Sequence, residues 1–419
     1  MREESSRAES HGLLTAIRSG ETFRALHNRN YRLLWTGMVG HSTSLWVENV
    51  ARSWLIWQLT GSATLLAVVN LLRALPLLSM GLLAGVAADR FDKRKILIIC
   101  QTATLVNKAV LALLIITGVI EVWQVLLSAF LMGSSMAFEQ PTRTSLIPGL
   151  VGKDELGNAV ALNSAAMSVT RIVGPAVAGM LIAPLGIGGV YFASAGVYLV
   201  TLTATIMLRV PPVIARIGRT TIWTDLSEAF RYVYWEKSIF YLVLLALVPM
   251  VFGMPYMTLM PIFADRVLDT GASGFGWLYS ATGAGAFLAV MIVATLGRVP
   301  RKGLVVLLAI FGFGIFLIGF SQSTLLPLSL VLVAFTGFAF TGSTVLINTS
   351  LLEIAPPAMQ GRVMAVYMLD RGLMPLGTMV VGPLADVIGA PSTVLIMGGI
   401  CALLALSVGI GVPFVRRML

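Results

Sequence analysis

The sequence contains few charged residues, and this scarcity decides the class of protein. Charged residues make up 11% of the 419 residues, whereas a soluble domain carries about 25%. Hydrophobic residues make up 57% of the chain, and the mean hydropathy is +0.89. A chain of this composition has too little polar surface to fold in water. We therefore exclude a soluble globular protein.

Residues for metal and covalent chemistry are also scarce. The two cysteines, Cys100 and Cys401, each lie within an apolar run, so a disulfide framework is not indicated. The three histidines, His11, His27 and His41, show no spacing typical of a zinc site. The stretch "GLVGKD" lacks the glycine spacing and the final Ser or Thr of a phosphate loop. The pattern disfavours an integral-membrane enzyme, and we expect no metal and no cofactor.

What the chain has instead is long apolar runs. A bilayer core needs about 20 helical residues to span it, and backbone groups in lipid must bond within their own segment. A transmembrane barrel would instead show segments of about ten residues in which apolar and polar residues alternate. The sequence therefore predicts twelve membrane helices, at 36–58, 64–88, 96–118, 122–142, 157–183, 187–208, 238–264, 274–296, 303–321, 324–352, 362–386 and 391–414.

Lys and Arg predict the orientation of these helices. If the N-terminus is cytoplasmic, 23 basic residues lie in the inner segments and one, Arg266, lies in an outer segment. Basic residues concentrate in cytoplasmic loops. We therefore predict a multi-pass protein of the cell membrane with both termini in the cytoplasm. The net charge of +10 is explained by these loops on an anionic leaflet and requires no nucleic-acid partner.

The twelve predicted helices divide into two sets of six. Residues 209–237, the longest interior hydrophilic stretch, separate helices at 31–208 from helices at 238–414, with tails at 1–30 and 415–419. The second part of this linker has a helical period with aromatics on one side, typical of either an interfacial helix or a solvated linker. Arg171 to Pro175 and Arg371 to Pro375 both read Arg-x-x-x-Pro, 200 residues apart. The equal helix counts favour a duplication.

One loop is far more charged than its surroundings. The stretch "GVAADRFDKRK", residues 85–95, lies between two apolar runs and resembles the signature loop of the major facilitator superfamily. The matching residues are Gly85, Asp89, Arg90, Lys93 and Arg94. Asp92 stands where that family usually has glycine. The stretches at 138–163 and 361–377 resemble the branch that contains the bacterial enterobactin exporter and related efflux proteins.

This resemblance implies a fold and a gate. The fold is an all-α membrane protein with two pseudo-symmetric six-helix halves. The gate is a cytoplasmic latch that holds the halves together when the pocket faces outward. In it Asp89 caps the helix that begins near Gly361, and Lys93 or Arg94 bridges to Glu139. A carboxylate is favoured at a helix N-terminus. The resemblance also extends to the Gly-Pro motif of the family's antiporters, here Gly174, Pro175 and Gly179.

Ionisable residues inside membrane helices are functional candidates because they are costly to place there. They are Glu48, Arg52, Arg73, Lys108, Glu139, Arg171, Asp370 and Arg371. Glu48 and Arg52 lie four residues apart and share a helix face, so Glu48 is either a proton carrier or half of a static ion pair. Asp370 and Arg371 point about 100° apart and need separate partners. Arg171 either faces Arg371 or pairs with Glu48, and Lys108 is interpreted as structural.

These features predict a secondary active transporter. The resemblance implies proton-coupled export by alternating access, and the surplus of basic residues favours an anionic or amphipathic small molecule. A nucleotide-binding domain does not fit beside twelve helices, and no pore ring or filter is visible. A lysophospholipid transporter or flippase of the same fold is the alternative.

We expect a monomer whose partners are the substrate, protons and the bilayer. Candidate proton-coupling residues are Glu48 and Asp370, and candidate substrate-binding residues are Asn49, Arg52, Arg73, Arg171 and Arg371.

Overall fold

A computed structural model describes residues 21–152, 155–209, 222–296 and 299–416, and within these ranges the chain is helical without strands. Residues 1–20 of the predicted tail and 210–221 of the predicted linker lie outside the described residues. The side chains of Asp89, Arg90, Asp370 and Arg371 are likewise outside the description, although their backbone belongs to helices.

The first half contains five long helices. A 3-10 helix, Glu21–His27, precedes them, and a single turn, Ile147–Leu150, follows the fourth. The long helices are α1 (Arg29–Thr60), α2 (Ala63–Arg90), α3 (Lys93–Ile116), α4 (Val122–Thr144) and α5 (Leu156–Met207). Helix α5 is broken at Gly186, where φ is 66° and ψ is 171°. Positive φ favours glycine, so the sequence itself divides α5 into two membrane-length pieces.

The second half begins after α6 (Ile222–Trp235), the helix of the predicted linker. Its elements are α7 (Lys237–Leu247), α8 (Tyr256–Ile262), α9 (Gly271–Leu296), α10 (Lys302–Gln322), α11 (Leu326–Ile354), α12 (Pro357–Met368), α13 (Asp370–Ile388) and α14 (Ala390–Gly411). Two π-helical segments, Val248–Gly253 and Phe263–Val267, flank α8, and a last turn covers Pro413–Arg416. Prolines 249, 255 and 261 remove backbone donors in this region, which accounts for its irregular winding.

Nine helices in the described ranges are long and apolar enough to cross a membrane. This number treats α5 as one helix although Gly186 divides it. Two further segments, α1 and the α12–α13 pair, are long enough but carry more charge. The described helices therefore accommodate the twelve predicted crossings.

Two helix pairs form the most extensive contacts between the halves, and both approach closely at the same end of the bundle. Helix α5 packs on α9, and helix α2 packs on α13. A Cβ at Gly179 would lie 2.6 Å from the carbonyl oxygen of Ala272, and one at Gly382 would lie 2.9 Å from that of Ala63. Small residues permit such close crossings between membrane helices. We refer to this end, predicted to be extracellular, as the closed end.

Candidate transport cavity

A cavity of about 340 Å³ lies between the two halves. Helices α1, α2, α4 and α5 contribute one wall, and α8, α9, α13 and Met254 contribute the other. Its polar lining consists of Asn49, Arg52, Ser53, Asn70, Arg73, Arg171, Thr258, Tyr279 and Thr378. Four methionines, Met136, Met254, Met257 and Met374, supply flexible apolar surface. The cavity can therefore hold a molecule that has both a polar and an apolar part.

The cavity is sealed at the closed end by contacts between the halves. The Trp57 indole donates a hydrogen bond to Asp265 at 2.9 Å, and the Arg266 guanidinium lies 4.6 Å from the Trp57 ring centroid. Closer to the middle, the Asn70 amide donates to the Thr258 hydroxyl at 3.3 Å. These contacts hold the two halves together on one side of the cavity.

Asn49 organises the basic wall of the cavity. Its side-chain oxygen accepts hydrogen bonds from Arg73 at 2.6 Å and from Arg52 at 3.0 Å. The two guanidinium groups are thus held side by side by one neutral acceptor. Among the described side chains, no carboxylate forms an ion pair with Arg73. The Arg73 charge is therefore available to an anionic group in the cavity.

Arg171 adds a third guanidinium from α5. Its Cζ lies 5.8 Å from the centroid of the Trp46 ring, a cation–π distance. The predicted alternative that Arg171 pairs with Glu48 is wrong, because Glu48 is occupied by other cations. Tyr279, from the second half, lines the same cavity as Arg171 and the other two arginines. An anion at this position would meet donors from both halves.

Glu48 lies behind this wall in a buried ion triad. Its side chain is 2% exposed, and its Oε1 accepts a hydrogen bond from Arg52 at 3.0 Å. Its Oε2 accepts a hydrogen bond from Lys108, which also donates to Ser194 at 3.3 Å. The Ser194 hydroxyl is bonded to that of Ser44 at 2.7 Å. One carboxylate thus compensates two buried cations, so the triad carries one net positive charge next to the cavity.

Glu139 forms a second buried cluster within the first half. It accepts hydrogen bonds from Arg143 one turn later, from Gln101 at 3.2 Å and from the Tyr198 hydroxyl at 2.8 Å. His41 Nδ1 lies 3.3 Å from the same carboxylate. In this structure Arg143, four residues along α4, supplies the positive charge beside Glu139. The bridge from Lys93 or Arg94 to Glu139 is expected in the outward-facing conformation, and it stays a prediction.

The loop residues have other partners in this structure. Lys93 donates to the Ser145 carbonyl at 3.3 Å, and Arg94 donates to the Ile206 carbonyl. Asp92 caps α3 by accepting from the Arg94 amide at 2.9 Å, which explains a carboxylate where the family usually has glycine. Among the described atoms, none lies within 4 Å of a Cβ built at Gly85 or Gly361. The predicted Asp89 cap itself lies outside the described side chains.

The Gly-Pro motif of α5 lies at a helix crossing. A Cβ at Gly174 would lie 2.8 Å from the Trp46 Cβ. A Cβ at Gly179 would lie 2.9 Å from the Gly276 Cα, and the Ser273 hydroxyl donates to the Gly179 carbonyl at 3.3 Å. The motif therefore packs α5 against α1 and α9.

Sequence reasoning missed several residues of these clusters. The pairing of Lys108 with Glu48 follows from the rule that a lysine at mid-membrane depth needs a counter-charge. The Glu139–Arg143 pair is an i,i+4 pair that the spacing shows directly. His41, Tyr198 and Tyr279 come from other helices, and nothing in the linear sequence connects them to their partners.

The chain is similar to several known transport proteins. The family model described as "Transmembrane secretion effector" matches residues 20–416. The chain is similar to the staphyloferrin A transporter of Staphylococcus aureus, with 26% identity over 84% of this chain and 89% of that protein. It is similar to the multidrug efflux pump Tap of Mycolicibacterium fortuitum, with 27% identity over 88% of this chain and 91% of that protein. The enterobactin exporter EntS of Escherichia coli is 23% identical over 84% of this chain and 82% of that protein.

Solved structures support the same fold. A nucleoside transporter, NupG, superposes with a TM-score of 0.68 at 14% identity and covers 90% of this chain and 97% of its own. A bacterial homologue of the human lysosomal transporter Spinster, in an inward-facing and unoccupied conformation, has a TM-score of 0.69 at 17% identity over 93% of this chain and 96% of its own. Identities this low show the fold alone.

Proposed function

Because the chain belongs to the transmembrane secretion effector family of major facilitator transporters, we propose that it exports a small anionic or amphipathic molecule in exchange for protons. That the protein is a transporter and not an enzyme follows from the family. The substrate class, the direction and the coupling ion are the proposal. The single observation that supports it best is a cavity between two helical halves, lined by three arginines and sealed at one end.

Alternating access requires that the halves rock about a site between them. The cavity is lined by both halves, and α5 and α9 cross beside it through glycines that allow close approach. We propose that the closed end is extracellular, since basic residues concentrate in the loops of the other end. The structure would then correspond to a conformation loaded from the cytoplasm.

The chemistry of the cavity wall supports an anionic substrate. Arg73 and Arg171 form no ion pair with a described carboxylate, and Arg52 shares its charge with Glu48. Guanidinium groups bind carboxylate, phosphate and catecholate groups through paired donors. The methionine surface opposite them would accept an apolar body. A lysophospholipid satisfies the same description, which keeps lipid transport as the alternative substrate class.

We propose Glu48 as the first candidate for the coupling carboxylate. It is buried, and its partner Arg52 lines the cavity, so a change of charge on Glu48 alters a substrate contact directly. The bonds from Lys108 and Arg52 also support the opposite interpretation, a static triad that carries no proton. Asp370 is the second candidate, and its side chain lies outside the described part of the chain.

The triad also favours a second candidate function, proton-coupled uptake. Glu48 and a substrate anion would be alternative partners of Arg52. A proton on Glu48 frees Arg52 for the anion, and by linkage the bound anion favours the proton. Proton and anion would then bind together from the acidic side, which is symport. In export by exchange, the protein would instead carry the anion outward in one half-cycle and the proton inward in the next.

Transport by the purified chain in liposomes separates these possibilities. Siderophores, lysophospholipids and dyes would be offered with a pH gradient of either polarity. Exchange predicts accumulation on the acidic side, and symport predicts accumulation on the alkaline side. We expect Glu48→Gln to abolish gradient-driven accumulation while substrate exchange continues, and Arg171→Gln to weaken substrate binding.

Arg231→Gln, an exposed change on α6, is the matched control and should transport normally. If Glu48→Gln still concentrates substrate against its gradient, Glu48 is not the coupling group and Asp370 becomes the residue to test. If no anionic or amphipathic molecule is transported, the proposed substrate class is wrong.

A further inference from the structure

Asp386, near the C-terminal end of α13, binds the N-terminus of α2 at the closed end. Its Oδ1 accepts a hydrogen bond from the Ala63 amide at 2.7 Å. Its Oδ2 accepts hydrogen bonds from the Thr64 amide at 2.9 Å and from the Ser62 hydroxyl at 2.9 Å. The first amides of a helix have no partner within the helix and carry its positive dipole end. A carboxylate of the second half therefore caps a helix of the first half.

The helix backbones meet one turn before this cap. A Cβ at Gly382 would lie 2.7 Å from the Ala67 Cβ and 2.9 Å from the Ala63 carbonyl oxygen. Any larger residue at this position would push α13 away from α2. Gly382 thus allows the approach that brings the Asp386 carboxylate into bonding distance.

The five residues from Gly382 to Asp386 resemble a five-residue stretch at the C-terminal end of α2. Residues 85–89 read "GVAAD" and residues 382–386 read "GPLAD", so glycine, alanine and aspartate match at the same spacing. Helices α2 and α12–α13 run in opposite directions, because α2 begins at the closed end and α13 ends there. Each pattern therefore lies at the end of the helix pair where the other segment starts.

The two patterns differ in packing in this structure. Gly382 is in close contact with α2, whereas among the described atoms none lies within 4 Å of a Cβ at Gly85 or at Gly361, where the other segment starts. Alternating access requires that contacts at one end break when those at the other form. The difference in packing fits one formed latch and one unformed latch.

We propose that Gly382 and Asp386 form an extracellular latch that is the inverted counterpart of the latch predicted at Gly85 and Asp89. Both act on the same pair of helices. In the conformation seen here Asp386 caps α2 and the extracellular end is shut. When the halves rock, the Asp386 bonds break, that end opens, and the pattern at the other end of α2 closes on α12. This inference relies on alternating access but on no substrate or coupling ion.

Distances between spin labels on the full chain in lipid nanodiscs would test the latch. One pair, Leu59→Cys with Val387→Cys, spans the closed end, and both positions are exposed. A second pair, Phe91→Cys with Leu352→Cys, spans the opposite end and is also exposed. The native cysteines would be replaced by alanine. The readout, double electron–electron resonance, requires neither substrate nor transport, so it stays informative if the proposed function fails.

We expect Asp386→Asn to shift the ratio of open to closed populations at the 59–387 pair about tenfold toward open, the effect of losing charge-assisted hydrogen bonds. The 91–352 distances should shorten at the same time. Gly382→Ala should produce the same pair of shifts without any change in charge, and it covers the case in which Asp386→Asn does not fold.

Asp269→Asn, at the same end of the molecule, is the matched control and should leave both distributions unchanged. The proposal is overturned if folded Asp386→Asn and Gly382→Ala proteins both retain the wild-type distances. It is also overturned if Asp269→Asn opens the closed end to the same extent, because the effect would then reflect general charge and not the cap.

Discussion

The two halves of the molecule share a fold but differ in what they bury. The first half encloses two ion clusters, one around Glu48 and one around Glu139. In the described part of the second half the buried side chains are aliphatic, aromatic or neutral polar, and Phe263 stacks on Phe320 at 4.4 Å between ring centroids. The second half supplies methionines and Tyr279 to the cavity. Under the proposed function, the first half would hold the charges for recognition and coupling, and the second half would supply a mostly apolar wall.

The largest expected effect concerns the Glu48 triad. Glu48→Ala leaves Arg52 and Lys108 as uncompensated buried cations, so we expect a loss of about 3–5 kcal/mol in the free energy of unfolding. Chemical denaturation in detergent would measure it. The matched change in the second half is Ser343→Ala, whose hydroxyl bonds only to its own helix at Phe340, and there we expect about 1 kcal/mol or less. Equal losses would remove the contrast between the halves.

The second effect distinguishes the observed Glu139 partner from the predicted one. We expect Glu139→Gln and Arg143→Gln each to cost about 2–3 kcal/mol, because a charged hydrogen bond is lost in a buried site. The double mutant should cost clearly less than the sum, since partners in one network couple. The losses in the free energy of unfolding from Lys93→Ala and Glu139→Gln should simply add in the double mutant. Strong coupling between Lys93 and Glu139 would instead support the predicted bridge.

A third effect is on substrate affinity and should depend on the half that is changed. We expect Arg73→Gln to weaken binding of an anionic substrate about tenfold, which corresponds to about 1.4 kcal/mol. Tyr279→Phe, in the second half, should weaken it by only a few fold, since one neutral hydrogen bond is lost. Equilibrium binding to detergent-solubilised protein would give both values. A larger loss for Tyr279→Phe than for Arg73→Gln would place the main recognition group in the second half.

The smallest effect is expected for a surface ion pair of the second half. Lys302 donates to Glu353 at 2.6 Å, and the exposed fractions of the two side chains are 13% for Lys302 and 51% for Glu353, so the pair is open to water on the glutamate side. Exposed pairs contribute about 0–1 kcal/mol. Lys302→Gln should therefore barely change thermal stability and leave transport intact. A loss as large as that of Glu139→Gln would show that charge in the second half matters as much as charge in the first.

The sequence predicted much of the fold for physical reasons. Apolar runs of membrane length can only be helices in lipid, and the glycine at 186 divides the long helix where two runs were expected. Partners within one helix, such as Glu48 with Arg52, follow from spacing alone.

Contacts between helices that are distant in sequence could not be predicted in this way. Arg171 against Trp46 depends on how α5 crosses α1, and no periodicity encodes that angle. The pairing of Glu139 with Arg143 was not predicted, because the predicted helix ended at residue 142 and left Arg143 in the following loop. The sequence placed Asp386 only at the end of an apolar run. Its cap on α2 is seen only in the structure, as three hydrogen bonds to the first half.

The most direct test of the central claim is the charge of the molecules that the purified protein carries in liposomes. Anionic, neutral and cationic members of a size-matched dye series would be compared in the wild type and in Arg73→Gln with Arg171→Gln. We predict that anionic members are transported, that cationic members are not, and that the double variant loses anion transport. Transport of the cationic members that persists in the double variant would contradict an anion site formed by these arginines.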